Sequence, residues 1–233
     1  MTALPYCGPA PSPDAIFGAW NLDTLLLLAL AGCAWLLRDG SVRAKAGLAV
    51  LVLAYVSPLC ALSAGLFSAR AVHHLVIVFA AAPLLAGIFT GRVSLPAAFL
   101  FQVLAFWAWH VPGVYEWALS SDAAYWVGQA ALLGSSLLLW NALSRPDASA
   151  PAAFLILIAM VMQMGLLGAL ITFAPVPVYG PHLFTTQQYG LSPLDDQQLA
   201  GLIMWVGSLP LTVLAGWAVL RRLLHRLEQE AVA

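Results

Sequence analysis

Two groups of polar side chains in this sequence could bind a metal ion or another charged ligand. The first is a run of acids and amides at residues 195–198, which leads directly into an apolar helical segment. The second is a set of four histidines on the predicted outer side: His73, His74 and His110 at the ends of predicted helices, and His182 in the third outer loop. Imidazole is the commonest metal ligand, but no pair here has the spacing of a strong metal motif. A site would therefore have to combine residues from several helices.

The acidic run also fits the start of a helix. Ser192 can serve as the N-cap, Pro193 suits the first helical position, and Asp195 follows Ser192 by three residues, as in a capping box. This pattern predicts that Asp195 caps the helix. It explains Asp196 less fully and Gln197 not at all, and polar groups near hydrocarbon usually have a structural or functional reason.

Sulfur ligands are a further part of the pattern, because Cu(I) accepts thioethers as well as imidazole. Met164 follows Met160 by one helical turn, and Met204 shares a helical face with Gln197 and Gly201. That face is expected to point into a helical bundle. Methionine is also an adaptable packing residue, so both interpretations stay open.

The composition indicates a protein built within a lipid bilayer. Of its 233 residues, 62% are hydrophobic and 8% charged, and the mean hydropathy is +0.91. Apolar runs of about 20 residues are long enough to cross the hydrocarbon core as helices. We therefore predict an all-α polytopic membrane protein with seven transmembrane helices, at residues 19–37, 46–65, 71–90, 94–110, 123–143, 151–174 and 196–220.

The basic residues predict the orientation of these helices. Of the nine Lys and Arg residues, only Arg70 falls in an outer loop, and the rest lie on the opposite side. Because basic residues favour the cytoplasmic side, the N-terminus is predicted outside and the C-terminus inside. The predicted units are an outer Pro-rich, extended tail at 1–18, a membrane domain at 19–220 and a basic cytoplasmic tail at 221–233. Cys7 and Cys60 both fall outside, where a disulfide between them could form.

Three motifs resemble the CtaG family of integral-membrane cytochrome c oxidase assembly factors. The first is His74-Leu-Val-Ile-Val-Phe-Ala-Ala-Ala-Pro-Leu-Leu85. The second is Trp109-His-Val-Pro-Gly-Val-Tyr-Glu-Trp-Ala-Leu119, which includes Tyr115. The third, and most specific, is Leu194-Asp-Asp-Gln-Gln-Leu-Ala-Gly-Leu-Ile-Met-Trp205. The chain departs from the resemblance where family members often carry histidine, and has Arg70, Tyr125 and Gln129 at those positions.

The resemblance implies an assembly factor for a haem–copper oxidase that assists copper-centre formation at the outer face of a bacterial inner membrane. We do not expect an enzyme, because the sequence offers no nucleophile–base pair or acid dyad that can be placed in one site. The implied partners are oxidase subunits, a periplasmic copper donor and membrane lipid. No nucleic acid is expected, because the basic residues lie at helix ends without a stripe or a known motif. His74 and His110 are the expected copper ligands, with His73, Met164 and Met204 as lesser candidates. A final set is expected to orient the ligands or the loop between the last two helices: Asp195, Asp196, Gln197, Tyr115 and Trp205.

Three other functions are considered besides copper handling, and the third of them is disfavoured. A metal-free scaffold for oxidase subunits is one, because several expected histidines are absent. A membrane haem protein, with His74 and His110 as axial ligands, is another. A copper permease is disfavoured, because the inner half of the predicted bundle offers no polar path.

Overall fold

The computed structural model describes residues 5–89 and 91–232, without the side chains of residues 219, 222, 223 and 226–232. In these ranges the regular structure is helical, and no strand is formed. The α-helices are α1 (Thr24–Leu36), α2 (Val42–Val56), α3 (Pro58–Gly65), α4 (Phe67–Val76), α5 (Ala82–Leu85), α6 (Leu95–Ala108), α7 (Pro112–Ala118), α8 (Asp122–Ser144), α9 (Ala150–Thr172) and α10 (Pro193–Val232).

The described helices supply three membrane spans by length and composition: Phe67–Ile88, Ala150–Thr172 and Pro193–Ala218. They supply up to five when the bent pairs α2–α3 and α6–α7 each count as one span. Of the other predicted spans, α1 is a shorter apolar helix of 13 residues. The 23 residues of α8 are long enough to cross, but they include Asp122, Gln129 and Asn141.

Two prolines divide the chain differently from the sequence prediction. The predicted unbroken helix 46–65 is bent by 47° between α2 and α3, where Ser57 is extended and Pro58 begins the second helix. The predicted loop 111–122 contains the helix α7, which begins at Pro112 and is bent by 85° from α6. The residue before a proline avoids the helical conformation, whereas proline itself suits the first helical position.

The span Phe67–Ile88 begins four residues earlier than predicted, so the placement of Arg70 in an outer loop is wrong. Arg70 lies inside α4 and is only 3% exposed. The helix widens into a π-helical segment at Ile77–Ala81. The Trp140 indole donates a 2.6 Å hydrogen bond to the Val78 carbonyl oxygen in this segment and so ties α8 to it.

The helical faces follow the sequence pattern more closely than the helix ends do. Met160 and Met164 are fully buried, whereas Met162 is 68% exposed. The stripes predicted for the neighbouring helices are also buried: Gln102 and Phe106 of α6 with His110 just beyond its end, and Tyr125, Gln129, Ser136 and Trp140 along α8.

The N-terminal segment packs onto one end of the bundle. A disulfide joins Cys7 to Cys60 of α3. The tail contains a turn at Pro5 and a 3₁₀ helix at Ile16–Gly18, in contrast to the extended tail predicted from its prolines. The connection between α9 and α10 covers the same end, since Tyr189 donates to the Pro11 carbonyl oxygen.

The helices α9 and α10 approach each other through glycines. A Cβ at Gly201 would lie 2.5 Å from the Gly168 carbonyl oxygen, and a Cβ at Gly168 would lie 2.7 Å from the Gly201 carbonyl oxygen. Small residues allow helix backbones to come this close inside a membrane.

We expect Gly201→Ala to lower the thermal unfolding midpoint of the detergent-solubilised protein, because the added methyl group forces the two backbones apart at a cost of about 1–3 kcal/mol. The matched control is Gly134→Ala in α8, where a Cβ has no atom within 4 Å. That change should leave the midpoint unchanged or raise it, because alanine is the better helix former. Equal shifts in the two variants would contradict this packing.

Candidate functional site

A cluster of buried polar side chains lies at the end of the bundle covered by the N-terminal segment. Each member is at most 7% exposed. We call the following nine residues the polar cluster: Arg70, His73, His74, His110, Tyr115, Tyr125, Gln129, His182 and Asp196. They come from α4, the α6–α7 bend, α7, α8, the α9–α10 connection and α10.

Asp196 joins the first turn of α10 to the first turn of α4. Its carboxylate accepts a 2.7 Å hydrogen bond from the Phe67 amide, a 3.1 Å bond from the Ser68 amide and a further bond from the Ser68 hydroxyl. The side chain is fully buried. A negative charge is favourable at a helix N-terminus, where amides lack partners within the helix. Asp196 therefore fixes the start of the helix that carries Arg70 and His74.

Asp195 and Gln197, on either side of Asp196, have separate roles. Asp195 and Ser192 form the predicted capping box, with the Asp195 amide 3.1 Å from the Ser192 hydroxyl. Gln197 accepts a 2.7 Å hydrogen bond from the Val178 amide and donates to the Val176 carbonyl oxygen. Gln197 thus holds the α9–α10 connection against α10.

His74 of α4 meets His110 of the α6–α7 bend. Their ring centroids are 5.9 Å apart, and the rings are nearly perpendicular. Nδ1 of His110 lies 2.6 Å from the Phe106 carbonyl oxygen. Because a carbonyl only accepts, Nδ1 must donate, which leaves Nε2 of a neutral ring as a lone-pair donor. Nδ1 of His74 is buried and has no hydrogen-bond partner in the described structure.

His73 faces away from this pair. Its ring packs edge-on against Tyr55 of α2 at 5.2 Å, and its centroid lies 6.0 Å from that of His74. Successive residues of a helix point in directions about 100° apart, so His73 and His74 contact different helices. In the described part of the chain, no group of three or more His, Cys, Asp or Glu side chains could hold a metal ion.

The methionines and Trp205 belong to the packing of the last two helices. Met164 and Met204 are at most 1% exposed within the hydrophobic core. Trp205 is 38% exposed and lies against the small residues Gly165 and Gly168 of α9.

The α9–α10 connection covers the polar cluster, and we call this connection the roof. Tyr115 of α7 shares a 2.6 Å hydrogen bond with Nε2 of His182, and Tyr179 donates to the His110 carbonyl oxygen at 2.9 Å. Burial, reinforced by the positive charge of Arg70, lowers the pKa of His182 to about 3. His182 is therefore neutral near pH 7.

Arg70 and four other members of the polar cluster line one small cavity. Its volume is about 20 Å³, and its polar lining consists of Arg70, His74, Tyr115, Tyr125 and Gln129. The rest of the lining is apolar and includes Trp109, Leu119 and Leu132. The Arg70 Nε donates to the Ser63 carbonyl oxygen at 3.0 Å. The three positions at which the sequence departs from the CtaG resemblance thus converge on a single site.

Arg70 was placed wrongly from sequence, although one signal pointed to it. It was the sole exception to the charge segregation, and an ionisable residue beside an apolar helix often marks a site. The roof contacts of Tyr179 and His182 gave no comparable signal, since their partners lie more than 60 residues away.

The fold and the site define a helical membrane protein whose bundle encloses a buried polar cluster at one end. Its sequence matches the family model of the cytochrome c oxidase caa3 assembly factor over residues 89–226, more than half of the chain. The protein belongs to this family, as the sequence motifs predicted. Neither a curated protein nor a solved structure matches the chain. The matched stretch contains His110 and Asp196, and it begins after His74.

We expect Asp196→Ala to destabilise the protein by about 3 kcal/mol or more, because it leaves buried amides of α4 without a charged acceptor. Asp195→Ala is the matched control, since Asp195 is an exposed cap, and its loss should cost about 1 kcal/mol. Thermal unfolding midpoints in detergent measure both. Similar midpoints for the two variants would contradict the role given to Asp196.

The lowered pKa of His182 also predicts a pH dependence. The unfolded chain takes up a proton near pH 6.5, whereas folded His182 does so only near pH 3, so stability falls as the pH drops through this range. His182→Gln should remove up to about 2 kcal/mol of the loss between pH 6.5 and pH 5. Unfolding midpoints measured at both pH values test this, and an unchanged pH slope in the variant would refute it.

Proposed function

We propose that this protein assists copper-centre formation in a haem–copper cytochrome c oxidase by holding copper in transit at the outer face of a bacterial inner membrane. Assembly of the oxidase is the function of the family. The observation that carries the copper proposal is the pair His74 and His110, whose rings meet in the buried cluster with nitrogen atoms not committed to protein partners.

The proposed topology has seven membrane crossings, with the N-terminus outside and the C-terminus in the cytoplasm. Two observations support it. The Cys7–Cys60 disulfide lies at the cluster end of the bundle, and disulfides persist in oxidising compartments such as the periplasm. Apart from Arg70, the basic residues lie in or next to the α1–α2, α5–α6 and α8–α9 connections or in the C-terminal part of α10, as expected of a cytoplasmic side.

A site with two imidazoles suits transient binding of copper better than permanent storage. Copper is the cargo here, and it must leave for the oxidase, so an incomplete ligand set favours release. The nearby guanidinium of Arg70 opposes a cation and weakens binding further. Met164 and Met204 remain lesser candidates, as core residues that would have to move to reach the histidines.

The proposed partners are subunits of the oxidase and a periplasmic copper donor, with lipid around the bundle. The α9–α10 connection carries apolar side chains that would suit such contacts, among them Phe184, which is 90% exposed, and Val176, which is 59% exposed. Exposed apolar groups beside a polar site are typical of a surface that meets another protein or lipid.

A metal-free scaffold is the second candidate, and two observations favour it. The described residues include no group of three metal-binding side chains, and Arg70 places a positive charge in the cavity beside His74. The haem alternative has no comparable support, since the cavity at His74 has a volume of about 20 Å³, far below that of a porphyrin.

Complementation of a gene deletion separates the two candidates. We expect the double variant His74→Ala, His110→Ala to restore normal amounts of oxidase subunits but to lower oxidase activity and copper content about tenfold or more, because both ligands are lost. The measurements are oxidase activity, copper per oxidase and subunit amount in membranes.

The control variant is His225→Ala, which changes a histidine of the C-terminal part of α10 and should restore activity fully. Full restoration by a normally expressed double variant would overturn the copper proposal and leave the scaffold in its place.

A further inference from the structure

The guanidinium of Arg70 is a buried positive charge without an acidic partner. The side chain is 3% exposed, its Nε donates to the Ser63 carbonyl oxygen, and its Nη2 has no hydrogen-bond partner in the described structure. Arginine stays protonated in proteins, so it cannot escape the cost of burial by losing its charge. That cost is several kcal/mol unless another charge offsets it.

The buried carboxylate that could offset this charge already accepts other hydrogen bonds. Asp196 is the one fully buried carboxylate in the described part of the chain, and its oxygens accept the two amides and the hydroxyl at the start of α4. No ion pair with an acid is formed by Arg70 among the described residues.

The aromatic rings around Arg70 offset only part of the cost. Its Cζ lies 5.9 Å from the ring centroids of both Tyr115 and Tyr125. A cation–π contact contributes about 0.5–2 kcal/mol, which is less than the desolvation of a guanidinium.

The cavity beside Arg70 is suited to a negative ligand. Its volume of about 20 Å³ accommodates one water-sized particle. Gln129 accepts from the Tyr55 hydroxyl with its oxygen, which leaves its amide nitrogen as the free, donating end. No carboxylate lines this cavity.

We propose that this cavity binds a single small inorganic anion of the size of chloride, held by Arg70 with donors from Tyr125 and Gln129. The size of the cavity excludes phosphate and larger anions, and the cluster end of the bundle gives access from the outer aqueous phase. Because Arg70 lies one helical turn before His74, a bound anion would also make a cation at His74 less costly. That last consequence rests on the proposed copper role, whereas the anion site does not.

The test uses the purified full-length protein in nonionic detergent. Sodium chloride replaces sodium gluconate, whose anion is too large for the cavity, at constant ionic strength, and the thermal unfolding midpoint is followed. We expect a saturable rise of about 5 °C with chloride and also with bromide, as for a ligand that binds only the folded state.

Arg70→Gln should abolish the saturable rise. The control is Arg145→Gln, which changes a partly buried arginine that does not line the cavity; it pairs with Asp147 and donates to the Val93 carbonyl oxygen. That variant should keep the full response. The proposal is overturned if chloride has no effect on the wild type, or if the two variants respond alike.

Two further measurements cover the case in which Arg70→Gln does not fold. Equilibrium dialysis with radiolabelled chloride should give about one bound ion per wild-type chain, displaced by bromide. Tyr125→Phe should weaken that binding about tenfold, because it removes one charge-assisted hydrogen bond. Absence of bound label would overturn the proposal, and stabilisation by formate but not by halides would replace the anion with a carboxylate group.

Discussion

The hydrogen bonds of Asp196 to the start of α4 are the constraint on which the rest of the site depends. A buried carboxylate is costly unless it is well paired, and here the unpaired amides of a helix N-terminus satisfy it. One residue of α10 therefore fixes where α4 begins. Because a helix is stiff, the same contact sets the positions of Arg70 and His74, one and two turns further along α4.

The roof covers the polar cluster, whose members are each at most 7% exposed. Gln197, Tyr179 and Thr185 bind backbone groups across the connection, so the loop is held by hydrogen bonds at several points. Low local dielectric strengthens every electrostatic interaction beneath it. The guanidinium of Arg70 therefore opposes a metal cation at His74, and its charge adds to the burial that keeps His182 neutral.

Local features of the helices could be predicted from the sequence, whereas helix breaks and the burial of single charges could not. The capping box of Ser192 and Asp195 and the buried face of Met160 and Met164 were predicted correctly, since both patterns act within two turns of helix. The family was also predicted correctly from three local motifs. The helix break before Pro58, the helix within 111–122 and the burial of Arg70 were not, because hydropathy alone does not distinguish a bent helix from a straight one or a loop charge from a buried one.

The sequence by itself determined the helical, membrane character of the protein, its family and its local caps, because these follow from composition and from contacts between near neighbours. Only the tertiary structure decided that Asp196 holds a helix 128 residues away, that His74 faces His110 while His73 does not, and that Arg70, Tyr125 and Gln129 share one cavity. The physical reason is the sequence separation over which each interaction acts. Periodicity and capping act over a few residues, whereas burial and electrostatics act between whichever helices the packing brings together.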